Sequence, residues 1–238
     1  MAENEAGSGL MASELAALNT PWEPPWTAES IIQELEPLVL DRRRERLLEV
    51  IQARIGSVTL LLDHLFDPHN RAAIVRSCDA FGVQELHTVQ ADDDFSLSPI
   101  VAAGSERWVD VLRHSSPEVA TQHLLARGFE LVETHPKGEL MPEDLAKLPR
   151  VALILGNEHR GVDVALSRAA TRRVRIPMRG FVESLNVSVS AAVLLESMTR
   201  GRAGDLSPFV RRHLYARALF QTVSRAARVL EALGKPAI

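Results

Sequence analysis

Cysteine is almost absent: Cys78 stands alone among 238 residues. No intrachain disulfide is possible, and no cysteine-based metal site can be built, which suits a reducing cytoplasm. Long apolar runs are missing too; none approaches the roughly 18 residues needed to span a bilayer. The first twenty residues lack both a basic start and an apolar core, so they do not read as a signal peptide. No GxGxxG follows an apolar strand, which leaves ordinary dinucleotide binding without support. Gly156 to Gly161 has the spacing of a phosphate loop but lacks the Lys-Ser/Thr that must follow. The eight histidines form no HExxH or other ligand spacing, so no metal is expected, and Ser184 and Ser188 lie in no GxSxG elbow.

Positive charge is missing from residues 1–40, which carry seven glutamates and no lysine or arginine. The net charge of −4 therefore conceals a basic remainder. Arg42, Arg43, Arg44 and Arg46 form one cluster. Residues 199–238 form a second, with eight basic residues, Arg211 and Arg212 among them, against two acidic ones. Arginine dominates both, and its guanidinium is the better fork for phosphate. Two concentrated basic regions suit a polyanionic partner, although solvated helix faces give the same pattern.

The chain divides by composition into an acidic leader (1–36), an arginine-rich helix (37–56), a central region (57–203) and a basic helical extension (204–238). In the leader, prolines 21, 24 and 25 forbid a helix, and Trp22 and Trp26 are set to dock on the body of the protein. Thr27, or else Ser30, caps a helix over about Ala28 to Leu35. A second helix is expected from about Leu38 to Arg54, burying Leu40, Leu47, Leu48, Val50 and Ile51. The middle alternates strands (58–62, 85–89, 109–112, 129–133, 151–155, 173–177) with helices (70–81, 117–126, 162–170, 183–200). Such alternation predicts an α/β fold, a parallel sheet with helices on both faces. Residues 205–234 read as a helical tail.

Three stretches carry the chemistry. In Asp67 to Gly82, Asn70 is placed to cap a helix whose free N–H groups attract phosphate, and Arg76 leans back toward the same end. In Ala152 to Val162, a buried strand enters a tight turn, where Gly156 admits a ligand close to the backbone and Glu158 can accept from a hydroxyl or orient an arginine. In Ile176 to Ala192, a strand ends at Pro177 and a helix starts near Ser184, whose small residues among valines suggest a tight interface with another subunit. Each stretch alone also has a bland explanation as an ordinary cap or connection.

Taken together and in this order, the stretches resemble the SpoU family of RNA ribose methyltransferases. The family pattern reads here as Asn70 and Arg76 on one helix, Leu155-Gly156-Asn157-Glu158-His159-Arg160-Gly161, and Ile176-Pro177-Met178 with Ser184-Leu185-Asn186-Val187-Ser188-Val189-Ser190. Ser190 stands where the family more often has alanine. The resemblance spans about residues 38–234. Within the family the chain is most similar to the TrmH-type tRNA guanosine-18 2′-O-methyltransferases, through the arginine-rich helix ahead of the first strand, His69 before Asn70, and the basic tail.

The resemblance implies a C-terminal deep trefoil knot, which general topology rules would not suggest. It also implies a cytoplasmic homodimer that uses S-adenosylmethionine and tRNA, without metal or membrane. Cofactor contacts would come from Thr134, Leu155, Gly156, Ile176, Met178 and Leu185. Catalytic roles would fall to Arg76, Asn70, Glu158, Ser184 and Asn186, and RNA contacts to Arg42, Arg43, Arg44, Arg46, Arg211 and Arg212, with Arg46 reaching the site across the dimer. Guanidinium is effectively always protonated, so Arg76 is expected to pin phosphate and ribose rather than accept a proton. Competing readings are a ribosomal-RNA or anticodon-loop ribose methyltransferase, an inactive RNA-binding paralogue, and a small-molecule nucleotide enzyme; the last leaves the arginine clusters unexplained.

Overall fold

Val58–Asp63 (β1) and Val151–Leu155 (β5) are largely apolar and buried at every position, and they pair in parallel at the centre of one sheet. Alternate residues serve opposite faces. Leu60, Leu62, Leu153 and Leu155 join one core cluster, while Leu61, Ala152 and Ile154 join the other. A strand buried on both faces has no polar side, so a continuous apolar run is what this position requires. Our computed structural model describes residues 20–22, 24–89, 97–157 and 160–233.

Around this pair lie Glu85–Val89 (β2), Asp110–His114 (β3), Glu130–Thr134 (β4) and Arg172–Val174 (β6). The six strands are ordered β3-β2-β1-β5-β4-β6 and all run parallel. Chain order reverses between β1 and β5, the kind of switch point where open α/β sheets bind ligands at the carboxyl ends of their strands. Pro68–Ala80 (α3) and Val187–Thr199 (α7) fill one face with Ile74, Cys78, Leu194 and Met198. Pro117–Ala126 (α5) and Val164–Ala169 (α6) cover the other with Leu124 and Leu166. A short helix, Pro99–Ala102 (α4), lies between β2 and β3.

Residues 55–204 form one compact unit; the flanking segments on either side form a second. In the second unit, Ala28–Leu35 (α1) begins with a reciprocal cap, since Thr27 Oγ1 accepts from Ser30 N–H at 3.2 Å while Ser30 Oγ accepts from Thr27 N–H at 2.9 Å. Both expected capping residues thus act together. Trp22 and Trp26 are buried, with Trp22 lying 6.4 Å from the Phe220 ring.

The arginine-rich helix is shorter than expected. A 3₁₀ turn over Glu36–Leu38 precedes Asp41–Gln52 (α2), because Pro37 favours a first turn but Val39 is extended. Its buried stripe is narrower too: Leu47 and Ile51 are buried, but Leu40 is 82% exposed and Leu48 45%. The tail divides into Pro208–Thr222 (α8), capped by Ser207, and Ala226–Ala232 (α9). Arg225, at φ 56°, breaks the run between them. Among the described residues, no helix is long and apolar enough to cross a membrane, and no group of three His, Cys, Asp or Glu could hold a metal ion.

Candidate active site

The connections that follow β4, β5 and β6 enclose a cleft of about 430 Å³ at the carboxyl edge of the sheet. Thr134, Leu155, Gly156, Ile176, Met178 and Leu185 all line it, so the structure gathers into one wall the six residues expected to contact a cofactor. Gly156 is required by close approach. A Cβ there would lie 2.4 Å from the backbone carbon of Gly161, with no flexible side chain able to yield. The turn closes because Asn157 and Gly161 exchange backbone hydrogen bonds of 2.9 Å, and Gly161 takes the left-handed φ of 71°.

The stretch from Ile176 to Leu185 is irregular. Among the described residues it makes no hydrogen bond from backbone to backbone. Its N–H and C=O groups are therefore available at the mouth of a cleft walled by Leu155, Val162, Ile176 and Leu194. Apolar walls with a few convergent backbone donors and acceptors are what a purine nucleoside needs, and the volume falls in the range of small-molecule sites. An adenosine-bearing cofactor fits these residues without a glycine-rich phosphate motif.

Two catalytic candidates from distant stretches meet at the edge of this cleft. Asn186 Nδ2 donates to Asn70 Oδ1 at 3.0 Å. Asn70 was expected to cap its helix and does not. Asp67 is the cap, accepting from His69 N–H at 2.8 Å, and Pro68 occupies the first helical position. Proline sets that start because its fixed φ suits it and it has no N–H to leave unpaired. Asn70 therefore lies inside the first turn, buried, with its side chain turned toward α7. The α7 cap is Asn186 rather than Ser184: its Oδ1 accepts from Ser188 N–H at 2.8 Å and from Ser188 Oγ at 2.6 Å. One amide thus fixes a helix start and reaches across to α3. Ser184 lines the cleft and is exposed.

Arg76 is not part of the cleft wall. It is exposed on α3, six residues beyond Asn70 or about 9 Å along the axis. Among the described residues it makes no hydrogen bond or ion pair, so its guanidinium is available to an external anion. Glu158 lies outside the described residues.

Of the six expected RNA contacts, Arg42 and Arg43 are exposed. Arg44 pairs with Asp41, and Arg46 Nη1 reaches Glu49 at 2.8 Å. Arg212 Nη1 lies 3.0 Å from Glu29, whose carboxyl is held below its ordinary range mainly by that hydrogen bond. Arg211 is half-buried. The tail is also less basic at its surface than its composition implies. Arg217 is buried, and Arg202 folds inward to donate to the carbonyls of Met198 (2.6 Å) and Pro149 (3.0 Å).

Sequence reasoning missed several residues. Asn157 is buried in the cleft wall, with Nδ2 donating to His64 C=O at 2.7 Å. Asp63 ends β1 as a buried carboxylate, accepting from Asp163 N–H at 2.6 Å and lying 2.7 Å from His64 Nδ1. A charged residue closing an otherwise apolar strand was a readable signal; the left-handed backbone of His64, φ 46°, was not. Arg71, beside Asn70, is buried.

The SpoU rRNA Methylase family model matches residues 57–196. The tRNA (guanosine(18)-2′-O)-methyltransferase of Thermus thermophilus is 35% identical over 163 residues, covering 68% of this chain and 84% of that protein. A crystal structure of an A. aeolicus TrmH/SpoU tRNA modifying enzyme superimposes with a TM-score of 0.68 at 29% identity, over 77% of this chain and 98% of that one. The SpoU methyltransferase AviRb from Streptomyces viridochromogenes, solved in complex with the cofactor AdoMet, gives 0.57 at 28% identity over 64% of this chain and 63% of that one. With more than half of its length matched by the family model, and with the family's three motif stretches meeting at one cleft, the chain belongs to the SpoU methylase family.

Proposed function

We propose that this protein transfers a methyl group from S-adenosylmethionine to a ribose 2′-hydroxyl of tRNA, at the D-loop guanosine of position 18. The observation that carries the reading is the meeting of three stretches. One cleft is lined by Thr134, Leu155, Gly156, Ile176, Met178 and Leu185, and at its edge Asn186 holds Asn70 at 3.0 Å. The choice of tRNA and of guanosine 18 follows the relatives whose names state that activity.

S-adenosylmethionine, when bound, supplies an electrophilic methyl group. The residues of the chain do the rest. Leu155, Ile176, Met178 and Leu185 hold the nucleoside end and exclude water. Arg76, with no partner of its own among the described residues, pins an RNA phosphate and so fixes the ribose for attack. The Asn70–Asn186 pair keeps α3 and the start of α7 in register, Ser184 supplies a hydroxyl at the cleft, and Glu158 completes the polar set. Arg42, Arg43, Arg44, Arg46, Arg211 and Arg212 bind the tRNA backbone. The connections after β4, β5 and β6 form the trefoil knot. Two copies associate through α7, where Val189 and Val193 are 48% and 38% exposed beside small residues. The site of action is the cytoplasm.

The test is methyl transfer to a tRNA transcript that carries 2′-deoxyguanosine at position 18 alone. We expect full transfer to the all-ribose transcript and none to the deoxy form. Equal transfer to both would move the reaction to another nucleotide, and transfer only to ribosomal or anticodon-loop RNA would assign a sister specificity.

A further inference from the structure

Between Met178 and Glu183, both of which line the cleft, the chain leaves the wall and returns. The excursion carries Phe181, which is 107% exposed, and Val182, 61% exposed. Full exposure of a phenylalanine costs free energy in water unless something covers it in use. No regular element holds this segment, and a Cβ on Gly180 would meet nothing within 4 Å. Arg175 lines the same cleft, and Arg160 and Arg179 adjoin its lining residues Gly161 and Met178 in the chain; all three are exposed, and among the described residues none of their guanidinium groups has a hydrogen-bonding or ion-pair partner. Glu183, also exposed, brings a carboxylate that is likewise without a partner among the described residues.

An exposed aromatic ring on a segment that leaves and rejoins a cleft wall, with unpaired arginines on the same connections, has the composition of a seat for an unstacked nucleobase. The ring takes the base face, and the guanidinium groups take the flanking phosphates. A carboxylate beside such a ring accepts from neighbouring N–H groups, as on the Watson–Crick edge of guanine, which offers N1–H and the exocyclic amine; adenine offers no ring N–H on that edge. We infer that Phe181 and Glu183 form a substrate-reading lip: Phe181 stacks on the base of the nucleotide being methylated, and Glu183 accepts from its N–H edge. This inference rests on the reading of the protein as an RNA ribose methyltransferase and adds how the base is chosen.

The cluster favours RNA over a second copy of the chain. Three unpaired like charges on the connections that border the cleft would repel their symmetry mates, whereas they match a phosphate backbone. Steady-state methylation of tRNA transcripts by wild type, Phe181→Ala, Phe181→Trp and Glu183→Ala tests it, with guanosine or inosine at the methylated position. Phe181→Ala should raise KM for RNA roughly tenfold, the size of one lost base–aromatic stack. Cofactor affinity, molecular mass in solution and unfolding midpoint should stay as in wild type, and Phe181→Trp should restore KM. Inosine, which lacks the exocyclic amine, should weaken wild type and leave Glu183→Ala no weaker than it is with guanosine.

An unchanged KM in Phe181→Ala overturns the lip. So does a loss accompanied by a drop in mass or in cofactor affinity, which would make Phe181 a subunit or cofactor contact. An inosine penalty equal in wild type and Glu183→Ala removes the carboxylate from base reading. Wild type that methylates no RNA overturns the functional reading and the lip together.

Discussion

At the scale of single residues, the site depends on side chains whose partners lie far off in sequence. Asn186 caps α7 with its oxygen and reaches Asn70 with its nitrogen, a pairing across 116 positions. Arg76 is the opposite case, an exposed guanidinium with no partner among the described residues. Its replacement should therefore leave folding intact and damage transfer alone. We predict that Arg76→Ala unfolds within about 0.5 kcal/mol of wild type, as surface substitutions usually do, while its turnover falls on the order of a hundredfold through lost positioning. Arg76→Lys separates two roles. A phosphate clamp predicts reduced turnover with an unchanged pH optimum, because lysine is a weaker fork. Retained turnover with a shifted optimum would point to proton transfer by this side chain.

At the scale of elements, β2, β3 and α5 enclose a stack of imidazoles outside the cleft. His87 Nδ1 lies 2.9 Å from His114 Nε2, and the His123 ring is within 5.4 Å of both. A single hydrogen bond between two ring nitrogens requires that one of them carry no proton, so at least one of the two rings is neutral. Burial first, and then repulsion from His114, Arg127 and His123, hold His87 well below the ordinary imidazole range. Burial and then His123 depress His114 to about 4. Burial and Arg127 lower His123, and Glu85 opposes this. The charged groups facing the stack are Glu85 and Arg127, which pair at 2.6 Å. The unfolded chain binds these protons near pH 6.5, whereas in the folded chain all three rings take them up at lower pH, His114 only at about 4. The stabilisation is thus fully present above about pH 6.5 and is lost as pH falls toward 4. The unfolding midpoint should drop from pH 7 to pH 5, and His114→Gln should flatten that drop; equal slopes in the two proteins would remove the stack from the acid response.

Elements were also where the sequence was most and least readable. β1 and β5 are legible because a strand buried on both faces must be apolar throughout. The helix starts are less so: both Asn70 and Ser184 have cap chemistry, but Pro68 moved one start forward and Asn186 took the other. The stripe of α2 was overread at Leu40 and Leu48, since apolar residues are common at the surface and spacing alone does not say which are covered. His64, with its left-handed backbone, and the buried Arg71 follow from tertiary packing and leave no local pattern.

At the scale of the whole molecule, the cleft is a product of topology. β4, β5 and β6 are neighbours or near neighbours in the sheet, but the stretches that leave them are separated by roughly 20 residues each along the chain. Because all strands run parallel, their carboxyl ends meet at one edge, and the reversal of order between β1 and β5 opens a crevice there. Motif recognition supplied the residues of the wall; the strand order explains why they meet. The unit of residues 55–204 carries the cleft, Asn70, Arg76 and Asn186, while the segments before and after it carry Arg42, Arg43 and the tail arginines. The most direct test of convergence is a crystal structure of the protein soaked with S-adenosylhomocysteine. The account predicts the adenosine between Leu155, Gly156, Ile176, Met178 and Leu185. Density for the ligand anywhere else, or an empty cleft at saturating ligand, would contradict it.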